Sequence, residues 1–176
     1  MRWEPENYKI EVSTLWSFPE RGNWATHNGE YEPRIYNGDA RNLYFIPDNS
    51  IDLICTHSPY ANIIKYSNGI KGDLSNCDIN EFITQMKIVA KESFRVLKNE
   101  KYCAILMGDI RKSKHIVPLG FKVMEKCLEA GFLLKEIVIK EQHNCKTTGF
   151  WYKKSIQHNF LLIAHEYLFI FRKPNY

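Results

Sequence analysis

From residue 51 onward, short apolar runs alternate with polar, glycine- or proline-bearing turns. Ile51, Leu53, Ile54 and Cys55 form a compact apolar run that predicts an interior strand. The period then changes. Phe82, Ile83, Met86, Val89, Ala90, Phe94 and Leu97 recur at helical spacing and predict a helix ending near Asn99. Asp78 is a suitable cap for it, with Glu81 three residues later in a capping-box pattern. Residues 102–107 read as a second buried strand, followed by a basic loop from Gly108 to His115. A second helix opens at Val117-Pro118-Leu119, with Phe121, Val123, Met124, Cys127 and Leu128 on its apolar face. Gly131 is placed to end it. Leu133 to Lys140 alternates as a strand, 141–154 reads as a long polar loop with clustered aromatics and lysines, and the runs 160–164 and 167–171 frame a last strand. That strand is expected to pair antiparallel with 133–140.

The chemistry concentrates after the first strand, in Thr56-His57-Ser58-Pro59-Tyr60. Pro59 has no N–H to donate and ends the ladder. It also keeps Ser58 extended. A histidine, a freed carbonyl and a tyrosine ring are thereby presented at a strand's carboxyl end, the edge where open α/β sheets bind ligands.

These five residues resemble the catalytic motif of DNA amino-methyltransferases, which alkylate adenine N6 or cytosine N4. That motif runs Asp, Asn or Ser, then Pro-Pro, then Tyr, Phe or Trp. Here His57 takes the first position and Ser58 replaces the first proline. The flanks add to the match: Asn37-Gly38-Asp39-Ala40-Arg41 before it, and Phe94-Arg95-Val96-Leu97-Lys98 and His165-Glu166-Tyr167 after it. The likeness runs from about Leu15 to Lys173, and the order of its segments is similar to the permuted beta group. It implies an α/β fold, a Rossmann-like methyltransferase sheet with a C-terminal antiparallel hairpin. One departure is large. Between Glu30 and Tyr36 the sequence has no glycine-rich turn of the kind that holds the methionine part of S-adenosylmethionine, and no strand–helix–strand unit around it. The sheet is therefore expected to be truncated by loss of that first unit.

The resemblance implies a catalytic group of His57, Ser58, Pro59 and Tyr60. His57 and the Ser58 carbonyl would accept the amino hydrogens of the target base. Tyr60 would stack on that base, which must leave the duplex to be reached. For the cofactor, S-adenosylmethionine, it implies Asp39 and Ala40 together with Trp24, Thr26 and His27 of the aromatic loop 15–28. Residue chemistry alone favours reading Asp39 as a helix-capping residue after an Asn-Gly turn; its position just upstream of the catalytic strand favours the cofactor role. The aromatic loop reads equally as a segment pinned to the core by Trp16 and Trp24. Lys65, Arg111, Lys112, Lys114, Lys146, Lys153 and Lys154 are candidate nucleic-acid contacts, because cations interleaved with aromatic rings suit phosphates and unstacked bases.

Composition adds bounds. A chain of 176 residues is most simply one domain: an N-terminal arm and aromatic loop over 1–36, then sheet and helices over 37–176. Hydrophobic residues at 44% and aromatics at 14% argue against a disordered chain. A net charge of +4 suits DNA without requiring it. Five cysteines without a C-x-x-C pair fit a reduced, cytoplasmic protein. No apolar run is long enough for a membrane span. His143, Cys145, His158 and His165 match no standard zinc spacing, so no metal is expected. Two functional alternatives stay open: a catalytically incomplete relative that binds DNA or complements a partner chain, and an RNA base methyltransferase; a homodimer or a complementing chain is expected at the exposed edge of the shortened sheet.

Overall fold

The computed structural model describes residues 36, 38–63, 65, 67, 72–142 and 148–175. In chain order its elements are β1 (Ile51–His57), α1 (Ile79–Val96), β2 (Leu97–Met107), β3 (Ile110–Lys112), β4 (His115–Val117), α2 (Leu119–Glu129), β5 (Leu133–Glu141), α3 (Thr148–His158) and β6 (His165–Arg172). Single 3-10 turns lie at Ala61–Ile63 and Leu74–Asn76. Residues 1–35, with the aromatic loop, lie outside the described residues.

The main sheet has the order β1-β2-β6-β5. β1 and β2 run parallel, joined through α1, while β6 is antiparallel to both β2 and β5. This is the expected α/β sheet with its C-terminal antiparallel hairpin. Ile54, Cys103, Ile105, Phe169 and Phe171 share one buried face. Phe82, Met86 and Ala90 of α1 and Leu119, Val123 and Cys127 of α2 complete the same core. Leu53 and Cys55 alternate to the other side of β1 and remain exposed. Among the described residues β1 has a single neighbour, so the sheet has an open edge there.

Local chemistry accounts for the helix ends. Asp78 accepts hydrogen bonds from the N–H groups of Asn80 and Glu81 and so starts α1. Pro118 cannot cap α2 with a side chain; Asp109 does so from the end of β2, accepting from Gly120 N at 3.0 Å. Gly131 has φ of +109°, its N–H bonds Leu128 O, and the N–H of Phe132 bonds Cys127 O. That is a Schellman ending, as the glycine predicts.

Four expectations are corrected. α1 stops at Val96 rather than near Asn99, and β2 begins at once with Leu97. The basic loop after Gly108 is a hairpin, β3 and β4, turning at Ser113 and Lys114. Both turn residues have positive φ, 51° and 69°, a conformation usually signalled by Asn-Gly and unannounced by Ser-Lys. Residues 148–158 form a helix rather than a loop. Its large side chains Phe150, Trp151, Tyr152 and Ile156 are exposed, so no apolar stripe marked it. The run 160–164 has no regular structure, and the last strand starts at His165.

The α1–β2 junction is held by a buried lysine. Lys173 is 6% exposed and donates to Phe94 O at 2.6 Å, Leu97 O at 2.8 Å and Asn49 Oδ1 at 2.7 Å. Its ammonium stands 4.6 Å from the centroid of the Phe94 ring. A cation at the carboxyl end of α1 also complements the helix dipole. Replacing Lys173 with alanine would strand two main-chain acceptors and should lower unfolding free energy by roughly 3 kcal/mol. Urea denaturation checks this; a change within about 0.5 kcal/mol would mean water replaces the ammonium without loss.

Candidate active site

Four elements bring their ends to one edge of the sheet. β1 ends at His57, β2 at Met107, and β5 at Glu141, while the antiparallel β6 begins there with His165 and Glu166. Pro59 turns the chain after β1 and, with Ser58, is buried. Ser58 is only 7% exposed, which leaves His57 and Tyr60 as the side chains the turn offers outward. His57 is exposed and Tyr60 is half-buried. Neither is enclosed in hydrocarbon.

The two rings meet edge to face, with centroids 5.6 Å apart and planes at 88°. His57 Nε2 lies 3.3 Å from the Tyr60 hydroxyl. That hydroxyl donates to Glu166 Oε1. Glu166 Oε1 is also 3.6 Å from His57 Nε2, and Lys140 Nζ donates to Glu166 Oε2 at 2.7 Å. Gly108 lets Tyr60 lie this close. A Cβ on it would stand 3.1 Å from two atoms of the Tyr60 side chain and 3.4 Å from Glu166 Cγ.

Electrostatics follow from these contacts. Burial pushes the Glu166 carboxyl up, but hydrogen bonds from Lys140, Tyr60 and Gln142 outweigh it and the net shift is downward. Glu166 is therefore an anion at neutral pH. Burial also pulls the His57 imidazole below its ordinary 6.5; Glu166 opposes that and Lys140 adds to it. His57 is consequently neutral at pH 7, with one nitrogen able to accept a hydrogen bond.

Glu166, Lys140 and Gly108 were not among the residues expected in the site. A signal existed for Glu166: it is a carboxylate at the head of an otherwise apolar strand, where an unpaired charge would be costly. At the strand start, His165 Nε2 is 2.9 Å from the Tyr167 hydroxyl.

The expected cofactor residues are only partly described. Trp24, Thr26 and His27 lie outside the described residues. Ala40 sits in a turn beside Asp39. No helix follows for Asp39 to cap; its carboxylate instead takes the Arg41 guanidinium, with Arg41 Nε 2.9 Å from Oδ1 and 3.0 Å from Oδ2. Hydrogen bonding by Arg41 holds the Asp39 carboxyl below its usual range. Asp39 borders an open hollow lined also by Tyr36, Asn42, Tyr44 and Phe45.

Of the expected nucleic-acid contacts, Lys65, Lys112, Lys114 and Lys153 are exposed and Lys154 is partly exposed. Lys146 lies outside the described residues. Arg111 is engaged internally: it donates to Lys114 O and Leu161 O, both at 2.9 Å, and stacks 4.3 Å over the Phe160 ring. Lys114 lies in the turn of the β3–β4 hairpin with Lys112 at the end of β3, and Lys153 and Lys154 lie on α3 among Phe150, Trp151 and Tyr152. Among the described residues no cluster of three or more His, Cys, Asp or Glu side chains could hold a metal ion, and no helix is long and apolar enough to cross a membrane.

The sequence and the fold are similar to those of known proteins. The chain is 38% identical over 66 residues to the type II methyltransferase M.BglII of Bacillus subtilis, an overlap of 37% of this chain and 16% of that protein. TTHA0409 of Thermus thermophilus, a candidate DNA modification methylase solved in complex with S-adenosyl-L-methionine, superposes with a TM-score of 0.57 at 26% identity. The match covers 79% of this chain and 54% of that one. The PvuII cytosine-N4-specific DNA methyltransferase shares the fold, with a TM-score of 0.62 at 20% identity over 80% of this chain and 50% of that one. The chain thus spans about half the length of these two structures. The family model described as DNA methylase, for N6 and N4 methyltransferases, matches residues 51–176, from the first residue of β1 to the end of the chain. This chain belongs to the N6/N4 DNA methylase family.

Proposed function

We propose that this chain methylates an exocyclic amino group, adenine N6 or cytosine N4, of a base in DNA, with S-adenosylmethionine as donor. The observation that carries the reading is the pair formed by an exposed, neutral His57 and a Tyr60 fixed beside it at the carboxyl edge of the sheet. An exocyclic amino nitrogen is a poor nucleophile because its lone pair is delocalised into the ring. Acceptors placed on its two hydrogens favour the pyramidal form, in which the lone pair is available. His57 supplies one acceptor through its unprotonated nitrogen, and the main-chain carbonyl of Ser58 supplies the second. Tyr60 presents an aromatic surface to a base extruded from the duplex.

S-adenosylmethionine, when bound, supplies an electrophilic methyl group. The hollow beside Asp39, with Tyr36, Tyr44 and Phe45 on its walls, suits the flat adenine end of such a molecule. A hydrogen bond from the adenine amino group to Asp39 has to compete there with Arg41. A glycine-rich cradle for the methionine end is absent from the sequence before β1. That absence, with the edge of β1 left open among the described residues, favours a second reading of the same site: the cradle comes from a further segment, a second copy or a partner chain that joins the sheet at β1.

Labelled S-adenosylmethionine offered with duplex DNA, and separately with RNA, tests the activity. Transfer to DNA is expected; transfer to RNA alone would overturn the choice of substrate. Changing His57 or Tyr60 to alanine should each reduce transfer about a hundredfold or more with the fold intact. Retained activity in either variant removes that residue from the mechanism. Calorimetry should show weak donor binding by this chain alone, and tight binding would count against a separate cradle.

The state of His57 sets the pH profile. Its pKa in the fold lies below the ordinary 6.5, so the accepting form persists below that pH and is lost as pH falls through the lowered value. Activity should therefore hold from pH 7 down to about 6.5 and decline only beyond it. An acid limb above pH 7 would contradict the assignment.

Neutralising Lys153 and Lys154 together should weaken DNA binding across sequences. It should also reduce the slope of log affinity against log salt by up to about 1.8. An unchanged slope would place α3 away from the phosphates.

A further inference from the structure

A neutral imidazole has one donor and one acceptor nitrogen, and which is which is fixed by its neighbours. His57 can receive an amino hydrogen only through the nitrogen that lacks a proton. The other nitrogen, Nε2, faces inward to Tyr60 and Glu166.

The Tyr60 hydroxyl carries a single proton, and that proton goes to Glu166 Oε1. Toward His57, 3.3 Å away, the phenol oxygen can then only accept. Glu166 Oε1, at 3.6 Å from the same Nε2, is an acceptor too. Both neighbours call for a proton on Nε2, so Nδ1 is left as the acceptor. Glu166 is suited to this control because it is 6% exposed and fixed from the far side by Lys140. Glu166 of β6, Lys140 of β5 and Tyr60 of the same turn are the charged or titratable groups shown facing the imidazole among the described residues.

We propose that Glu166 is a positioning residue: acting through the Tyr60 hydroxyl, it sets the tautomer of His57 so that Nδ1 is free to accept a hydrogen from the target amino group. The role in transfer rests on the reading of His57 given above, whereas the tautomer itself can be observed without any substrate. In Glu166→Gln the Tyr60 proton is no longer claimed by an anion. The hydroxyl can turn and donate to Nε2, which would place a proton on Nδ1 and present a donor where an acceptor is needed.

The test is long-range proton–nitrogen correlation NMR on the full chain labelled with 15N-histidine, at neutral pH, with His57 assigned by comparison with His57→Gln. The parent protein should show Nε2–H. Glu166→Gln should show a mixture or a switch to Nδ1–H. Lys140→Met, which leaves the carboxylate and phenol in place, should keep Nε2–H. Thermal melts establish that each variant is folded. Should Glu166→Gln not fold, Glu166→Ala gives the second measurement: it removes the acceptor that claims the Tyr60 proton, and Nε2–H should weaken in favour of the other tautomer. A parent protein already in the Nδ1–H form overturns the proposal. So does a folded Glu166→Gln, or in its place Glu166→Ala, that keeps Nε2–H unchanged.

If methyl transfer occurs, Glu166→Gln should lower turnover about tenfold or more while KM stays within about twofold. A tautomer switch without methyl transfer in any protein leaves this inference standing and removes the proposed function instead.

Discussion

A carboxylate withdrawn from water at the end of a β-sheet has to find charge and hydrogen bonds there or lose its proton. Glu166 meets that requirement with Lys140 on one oxygen and the Tyr60 hydroxyl on the other. The consequence reaches outward from the pair. Tyr60 is held against Gly108, His57 is held against Tyr60, and the two rings are fixed at right angles at the mouth of the site. Three strands and one turn contribute to this cluster, so its geometry depends on the register of the whole sheet. Lys140 opposes Glu166 in the β5–β6 pairing, and His57 opposes Leu106 in the β1–β2 pairing. A one-residue slip in either would point the side chain concerned to the other face.

Much of this architecture was legible because its signals are local. The helical spacing from Phe82 onward, the capping pattern at Asp78 and the glycine at 131 each describe one element by residues within it, and each has its counterpart in α1 and α2. The turn 56–60 was also readable, since Pro59 dictates backbone shape through its own ring. What escaped reading depends on partners far away in sequence. Glu166 takes its place in the site from Tyr60, 106 residues earlier, and from Lys140 on the neighbouring strand. Arg111 looks like a phosphate contact until Phe160 and Leu161 are folded against it. The β3–β4 turn and α3 were missed for a different reason. Ser113 and Lys114 occupy positive φ without the residues that prefer it, and α3 leaves Phe150, Trp151, Tyr152 and Ile156 in the open, so neither bears its usual mark.

The exposed side chains of α3 belong to a wider pattern of uncovered apolar surface. A helix that buries no apolar stripe gains little from packing on its own sheet. β5 is similar: Leu133, Ile137, Val138 and Ile139 are all substantially exposed on a strand at the sheet's edge. With β1 open at the opposite edge, both ends of the described sheet offer unpaired backbone or apolar surface. The PvuII and TTHA0409 structures are about twice the length that this chain covers.

The division between the two halves of the site then has a chemical logic. The groups that would hold the base lie on a sheet whose own contacts fix them: His57 and Tyr60 depend on Glu166, Gly108 and Lys140, all within residues 57–166. The donor's cradle depends on a turn that this sequence does not carry ahead of β1. A base-holding site can thus be preorganised without the donor's cradle in place, because no hydrogen bond in the His57–Tyr60–Glu166–Lys140 chain passes through the hollow beside Asp39. A segment paired with β1, the strand that ends in His57 and borders the open edge of the described sheet, would link the two sites.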